Sequence, residues 1–403
     1  MDFKEREFAT ALLGSDINTY SVARAFYEEY QIKSYVFGKY WSGPSINSKI
    51  VEYQGNPLMD TEDVFLEHIT ALAKRLSNKK IFVLGCGDNY VTLIGKCKDK
   101  LPENVIAPYI SIDLMNQLVN KERFYELCEK LGVDYPNTFI YKPEMGHDFD
   151  IPYEYPLILK PADSVDYFAH SFEGQNKIYK LASRQEVDET IDKIYQAGYS
   201  SHLIIQDMIP GNDENMRVLT SYSGRDKKVK MMCLGHVLLE EHTPLGLGNH
   251  ALIMTEDNQE LYQQARALLE EIGFTGFSNF DIKYDPRDGK FKFFEINVRQ
   301  GRSNFYVTNA GFNIARYLVD DYIYEKDMDF VTCTNPSLWM VVPKGVAFKY
   351  VKDEQSKNQM RDLISQGKMV NPLFMRGDLS FKRWSHLVVN HLRQFNNFKT
   401  YYN

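Results

Sequence analysis

The chain is short of cysteine and tryptophan, with 5 and 3 in 403 residues. Cys86, Cys97, Cys128, Cys233 and Cys333 lie far apart, form no CxxC pair and are odd in number. That pattern excludes a disulfide framework and gives no zinc signal. It points to a reducing compartment, the cytoplasm. No apolar run reaches the roughly 18–20 residues of a membrane span, so the chain is not expected to span a membrane. The opening Met1-Asp2-Phe3-Lys4-Glu5-Arg6-Glu7 lacks the apolar core of a signal peptide. Basic charge is also in deficit: 47 Lys+Arg against 54 Asp+Glu leave a net charge of -7. A nucleic-acid partner is therefore not expected.

Several phosphate-binding motifs are missing as well. There is no GxxxxGK[ST] stretch, which argues against a P-loop NTPase, and no HRD or DFG signature of a protein kinase. Gly85-Cys86-Gly87-Asp88-Asn89-Tyr90 carries two glycines of a dinucleotide turn, but Tyr90 stands where the third belongs.

What is present is a globular mix, 44% hydrophobic and 25% charged, rich in Tyr (27) and Phe (25). Charge is uneven. From residue 331 onward 11 Lys+Arg face 4 Asp+Glu, so the rest of the chain is distinctly acidic. Such a split can mark a partner surface.

The first third alternates strands and helices. Ala9–Leu13 ends at Gly14, Ser34–Phe37 follows, and Lys80–Leu84 ends at Gly85. Asp16, Asn18 or Thr19 can cap a helix with Val22, Ala25 and Phe26 on its apolar face. Repeated strand-glycine-helix units imply an α/β layer with a parallel sheet and ligands at the strands' carboxyl ends. Residues 121–131 read as a helix capped by Asn120 and ended by Gly132. Later strands are Leu157–Lys160, between prolines, and Leu203–Ile209, before Pro210-Gly211. A helix comes next at about Asp257–Ile272 and a hairpin at 280–300. Past Val331 the pattern names no fold. The expected domains are 1–120, 121–215, 216–330 and a basic extension over 331–403.

The hairpin carries the chemistry. Side chains alternate along strands, so Glu295, Asn297 and Arg299 take one face and Phe294, Ile296 and Val298 the other. A turn centred near Asp288 places Asp281 opposite Glu295, with Cβ atoms ~5 Å apart. Two carboxylates so placed repel by roughly 3 kcal/mol at an effective dielectric of 20. A hard divalent cation offsets this, and Asn297 adds a neutral oxygen. The alternative is a solvated face neutralised by Lys283 and Arg299. Lys121 starts a helix, where a cation opposes the macrodipole and so hints at an anionic partner. Lys160 ends an apolar strand.

In order, the Lys121-led helix, Pro156-Leu157-Ile158-Leu159-Lys160, Ile204-Ile205-Gln206-Asp207, Asp281 and Glu295-Ile296-Asn297-Val298-Arg299 resemble the ATP-grasp carboxylate–amine ligases. The resemblance covers residues 10 to 325. It implies an α/β fold with α+β lobes behind an N-terminal Rossmann-like pre-ATP-grasp domain. It also implies ATP and one or two Mg²⁺. Lys121 and Lys160 are then similar to the two phosphate lysines. The backbone of Asp207 and Ile209, with the Gln206 side chain, resembles the adenine contact, and Asp213 the ribose carboxylate. Asp281, Glu295 and Asn297 resemble the metal ligands. Arg299 resembles the arginine that steadies the transferring group, with Lys160 and Arg302 as further catalytic cations.

An amino-acid carboxylate substrate calls for cationic and polar partners. Arg302, Ser303 and Asn304 are the first choice and Arg217 a second. Asp16–Asn18 and Gly87–Asn89 face the same cleft, and His242 and His250 flank a Pro244–Gly248 loop beside it. Where related proteins have a glycine-rich lid, this chain has Ala162–His170, so either a less mobile lid or closure through Ser164 and His170 is expected.

Within the family, Gly14–Arg24, Gly87-Asp88-Asn89-Tyr90 and Lys160-Pro161-Ala162-Asp163-Ser164 resemble the D-aspartate ligases. That implies UDP-N-acetylmuramoyl pentapeptide, or another amine, as acceptor. Another amino-acid or dipeptide ligase, a nucleotide-binding sensor without turnover and a small-molecule kinase stay open on sequence.

Overall fold

Six residues in succession, Phe8–Leu13, all apolar but Thr10, form β1 and are buried on both faces, as the centre of a parallel sheet demands. The structure, a computed structural model, describes residues 1–244 and 246–402, without the side chains of Ser164 and Val165. Two compact units share the chain. The first holds Met1–Ile112, Asn212–Phe280 and Asn297–Asn403; the second holds Asp113–Gly211 and Asp281–Ile296.

In the first unit β1 leads to α1 (Ile17–Tyr30), β2 (Ser34–Gly38), β3 (Val51–Gly55), α2 (Glu62–Arg75), β4 (Lys80–Gly85), α3 (Asp88–Cys97) and β5 (Val105–Ile106). Among the described residues these strands form a five-stranded parallel sheet, β3-β2-β1-β4-β5. The chain leaves β1 toward β2 on one side, while β4 lies on the other. The switch point therefore falls between the carboxyl ends of β1 and β4. At that point Gly14 adopts φ 134, and a Cβ there would sit 2.5 Å from Thr19 Oγ1. Asp16 caps α1 by accepting from the Thr19 amide.

α4 (Ile112–Val119) leads to the second unit. Its elements are α5 (Lys121–Leu131), β6 (Thr138–Tyr141), β7 (Leu157–Pro161), α6 (Ser164–Ala169), β8 (Tyr179–Leu181), α7 (Arg184–Gln196) and β9 (Leu203–Asp207). The expected caps are present: Asn120 accepts from the Arg123 amide, and Gly132 closes α5 at φ 68. The described strands form the antiparallel sheet β6-β9-β7-β8. Successive side chains alternate between its two faces. Tyr141, Leu157, Leu159, Leu203 and Ile205 pack with Val187, Ile191 and Ile194 of α7. Ile158, Lys160, Ile204 and Gln206 take the opposite face.

The chain continues with β10 (Met216–Ser223), β11 (Val229–Glu240), β12 (His250–Glu256), α8 (Gln259–Glu271), β13 (Gly276–Asp285) and β14 (Lys290–Asn297). β13 and β14 are the expected hairpin strands. Then come α9 (Phe305–Asn309), α10 (Ile314–Tyr322), β15 (Val331–Thr332), β16 (Leu338–Met340), α11 (Lys344–Tyr350), α12 (Glu354–Ser365), β17 (Met369–Val370) and α13 (Phe381–Tyr401). The described strands lie in the order β14-β13-β10-β11-β12-β16-β17, with β15 beside β11.

Residues 331–403 differ from the separate extension expected. β15 pairs with β11 and β16 with β12, and Trp339 is wholly buried. Buried Asp378 accepts from Tyr20 Oη at 2.7 Å and Ser48 Oγ at 2.8 Å, and Arg383 stacks 4.2 Å from the Tyr20 ring. An apolar strand such as Leu338–Met340 must bury both faces, and the first unit supplies the partners. The boundaries expected at 120, 215 and 330 give way to the two units for the same reason: sheet pairing, not chain order, groups the elements.

Candidate active site

In the second unit, the outward face of β7 aims Lys160 at α5. Its side chain is buried, and Nζ donates to Tyr125 Oη at 3.1 Å. The Tyr125 and Phe294 rings lie 5.7 and 5.4 Å from that nitrogen. Tyr125 Oη in turn donates to the Phe294 carbonyl at 2.8 Å. Burial, reinforced by the charge of Lys121, pushes the Lys160 ammonium down to about 7.

Lys121, on the first turn of α5, places Nζ 3.4 Å from Glu295 Oε2. Burial would raise the Glu295 carboxyl, but the charges of Lys121, Lys177 and Lys160 outweigh it and hold it down at about 2. Three ammonium groups thus act on one carboxylate, a local surplus of positive charge suited to an anionic ligand. Sequence reasoning missed Lys177. It lies in an irregular stretch before β8, where no periodicity marks a residue.

Along the strand-hinge segment the structure corrects part of the expected adenine contact. Gln206 Nε2 donates across the sheet to Thr138 Oγ1 at 2.7 Å. The Asp207 amide donates to the Asn137 carbonyl at 3.1 Å, and its carboxylate pairs with Arg287 at 2.7 Å. Asp207 is therefore the last strand residue, bound into the sheet, and its amide is not available to a base. The Ile209 carbonyl accepts from Lys283 Nζ at 3.0 Å and keeps a second lone pair.

Two further expectations are corrected in the first unit. Buried Asp213 accepts from the Glu240 amide at 2.9 Å and meets His242 Nε2 at 3.0 Å, which raises the histidine. Its carboxylate ties the loop to β11, and a ribose would have to displace that contact. Arg217 is buried against Glu256 and donates to the Glu214 and Met216 carbonyls. It serves an internal ion pair, not a substrate carboxylate.

The loop after β14 is bound within the first unit to the switch point of the parallel sheet. Arg299 forks onto the Asp88 carboxylate at 2.7 and 3.0 Å, at the start of α3. It also reaches Asn297 Oδ1 at 3.3 Å. Gln300 Nε2 donates to the Gly85 carbonyl at 3.1 Å. Asn304 Nδ2 donates to Asn18 Oδ1 at 2.9 Å, and Asn18 Nδ2 to the Cys86 carbonyl at 3.1 Å. Gly301 lets the loop pass: a Cβ there would fall 2.4 Å from Asn279 Oδ1.

Arg302 Nη2 donates to Glu241 at 3.2 Å, while its Nη1 and Asn304 Oδ1 are buried with no hydrogen-bond partner among the described residues. A buried donor and acceptor left open are costly unless a ligand completes them. Ser303 Oγ lies 3.4 Å from His250 Nδ1, and burial with the Arg302 charge pushes that imidazole down to about 4. His250 is neutral at pH 7.

Asp281 and Glu295 are half-buried in the second unit, and Asn297 ends β14 in the first, with its Nδ2 3.4 Å from the Asn279 carbonyl. Among the described residues no three His, Cys, Asp or Glu side chains form a metal cluster. In the lid segment His170, just past α6, has its Nδ1 2.9 Å from the Asp166 carbonyl. The Ser164 side chain and Leu245 of the Pro244–Gly248 loop lie outside the described residues.

No protein-family model matches the chain. Solved structures share its fold. The ADP complex of N5-carboxyaminoimidazole synthetase from Staphylococcus aureus aligns with a TM-score of 0.60 and 14% identity, covering 90% of this chain and 88% of that one. The L-amino acid ligase from Bacillus licheniformis aligns with a TM-score of 0.54 and 14% identity, covering 79% and 75%. In sequence, the carbamoyl phosphate synthase large chain of Halomonas eurihalina is 25% identical over 291 residues, 66% of this chain and 25% of that protein. The D-aspartate ligase of Enterococcus faecium (strain Aus0004) is 42% identical over 407 residues, 97% of each chain. The chain belongs to the D-aspartate ligase family of ATP-grasp enzymes.

Proposed function

We propose that this protein uses ATP to activate a carboxylate of D-aspartate and joins it to the lysine side-chain amine of UDP-N-acetylmuramoyl pentapeptide, in the cytoplasm. The observation that carries this reading is the surplus of ammonium groups, Lys121, Lys160 and Lys177, around Glu295. It suits a polyphosphate.

In this reading a substrate carboxylate oxygen attacks the γ-phosphorus of ATP in line, and the bond to the β-phosphate bridge oxygen breaks. ADP departs and an acyl phosphate remains. The amine nitrogen then attacks the acyl carbon, the bond from that carbon to the phosphate oxygen breaks, and the nitrogen gives up a proton to the departing phosphate, leaving an amide. Lys121 and Lys160 bind the phosphate oxygens and offset the charge that develops on the transferring group. Asp281, Glu295 and Asn297 offer hard oxygens suited to Mg²⁺, and Glu295 stays ionised at any working pH. Bound there, Mg²⁺ supplies Lewis-acid charge to the phosphates.

Arg299, fixed by Asp88, steadies the transferring phosphoryl group, and Arg302, whose Nη1 has no partner among the described residues, holds an amino-acid carboxylate, while Ser303 and Asn304 line the same loop. The open Asn304 Oδ1 accepts from the substrate ammonium. The Ile209 backbone meets the adenine edge.

The test is ADP release with D-Asp, L-Asp, D-Ala or Gly, each with and without the lysine-containing precursor. D-Asp with the precursor is expected to give the highest rate. No signal from that pair, with signal from another, would move the substrate assignment and leave the ligase class standing.

A further inference from the structure

The exposed side of α13 is unlike an ordinary solvated helix face. Phe381, Trp384, Leu392 and Phe395 are all exposed, Phe381 at 83% and Leu392 at 54%. At 3.6 residues per turn these four, with Val388, fall within an arc of about 80°. Phe381 and Trp384 stack at 6.3 Å. The helix docks on the first unit by another side, through buried Arg383, Leu387 and Phe398. Phe395 also rests against Gly345 of α11, but Phe381, Trp384 and Leu392 are not among the buried residues that hold α13 in place.

The charge on the helix has one sign. From Leu379 to the end of the chain there is no Asp or Glu, while Lys382, Arg383, Arg393 and Lys399 are cationic. Lys382 and His386 line a cleft of about 550 Å³ against the Trp41–Asn47 loop. That loop also has no acid, and Trp41 within it is 69% exposed.

We propose that this face of α13 is a docking surface for an anionic phospholipid bilayer. Apolar residues on one stripe with cations on its flank describe a helix that lies in the interface plane, its aromatic side chains among the headgroups. No helix of the described residues is long and apolar enough to cross a membrane, so the contact is peripheral. A second copy fits less well. A symmetric pairing would bring Lys382 and Arg393 of each copy together with no acid on either helix to meet them. The surface does not depend on the substrate proposed above.

Flotation of the full chain with vesicles tests this. Vesicles of phosphatidylglycerol and phosphatidylcholine in equal parts are compared with phosphatidylcholine alone, at low and high salt. The chain is expected to float with the anionic vesicles at low salt, at least about tenfold more than with neutral ones, and to dissociate as salt rises. W384S/L392S and K382E/R393E, which change only exposed positions, should each abolish flotation with ADP-release rates kept as proof of folding. The proposal is overturned by equal partition onto both vesicle types, or by variants that float like the parent. It is also overturned by a vesicle-free dimer in sedimentation that W384S/L392S dissolves, which would make a second copy the occupant.

Discussion

The Lys121 ammonium stands 3.4 Å from a Glu295 carboxylate oxygen, and Lys160 lies buried nearby on Tyr125. Neither lysine is near the other in sequence. An α-helix and a β-strand bring them together because the helix start and the outward strand face point the same way. Glu295→Gln removes a carboxylate on which three cations act, and a hard metal oxygen with it. Turnover is expected to fall at least about a hundredfold, with little change in thermal midpoint. ADP release by the purified variant at saturating Mg²⁺ checks this, and an active variant would contradict the metal assignment.

Lys160 gives a pH dependence with a definite sign. In the nucleotide-free protein it titrates at about 7, and contact with phosphate oxygens favours the charged form. Above pH 7 nucleotide binding therefore takes up a proton. Affinity for ADP should fall as pH rises from 7 toward 9, by at most about one order of magnitude per unit. Calorimetric titration of ADP in buffers of different ionisation enthalpy measures the uptake. K160M should bind more weakly and lose the uptake.

The Asp88 fork on Arg299 positions the arginine without touching substrate in the proposed chemistry. Asp88→Asn keeps the shape but loses the charge-assisted pair. The expected result is a kcat lowered about tenfold or more, with the ATP KM nearly unchanged. Arg299→Lys should be worse than Asp88→Asn, because an ammonium cannot make the planar two-point contact. Initial-rate kinetics with ATP and amino acid varied separately distinguish these outcomes.

Asp378 is a test of the fold, not of the site. It is wholly buried and holds Tyr20, Ser48, the Lys49 amide and the neighbouring Arg383. Asp378→Ala leaves the Arg383 guanidinium buried with its carboxylate gone, which costs about 3–5 kcal/mol. Urea unfolding should show that loss, with Arg383→Ala comparably destabilising. A double variant no worse than either single one would show that the two act as a pair.

Local rules made much of this legible in sequence. Glycines after Leu13 and Leu84 marked strand ends, Asn120 and Gly132 marked both ends of α5, and Lys160 stood out as the charged end of an apolar strand. What stayed hidden depends on distance along the chain. Arg299 and Asp88 are 211 residues apart and Tyr20 and Asp378 are 358 apart, and no local pattern announces either pair. Asp213 and Arg217 carried the right chemistry in the right neighbourhood. Only the fold reveals that His242 and Glu256 already engage them. Residues 331–403 gave short apolar stretches too brief to assign until β11 and β12 offered them edges.

Everything proposed for the site converges on one product, the amide between D-aspartate and the precursor lysine. Mass spectrometry detects that product itself, in UDP-N-acetylmuramoyl pentapeptide incubated with enzyme, Mg²⁺, ATP and D-aspartate. The expected product is heavier by one aspartyl residue, with one ADP formed per amide and the new bond on the lysine side chain. ATP hydrolysis with an unmodified precursor, or an equal yield with L-aspartate, would refute the assignment.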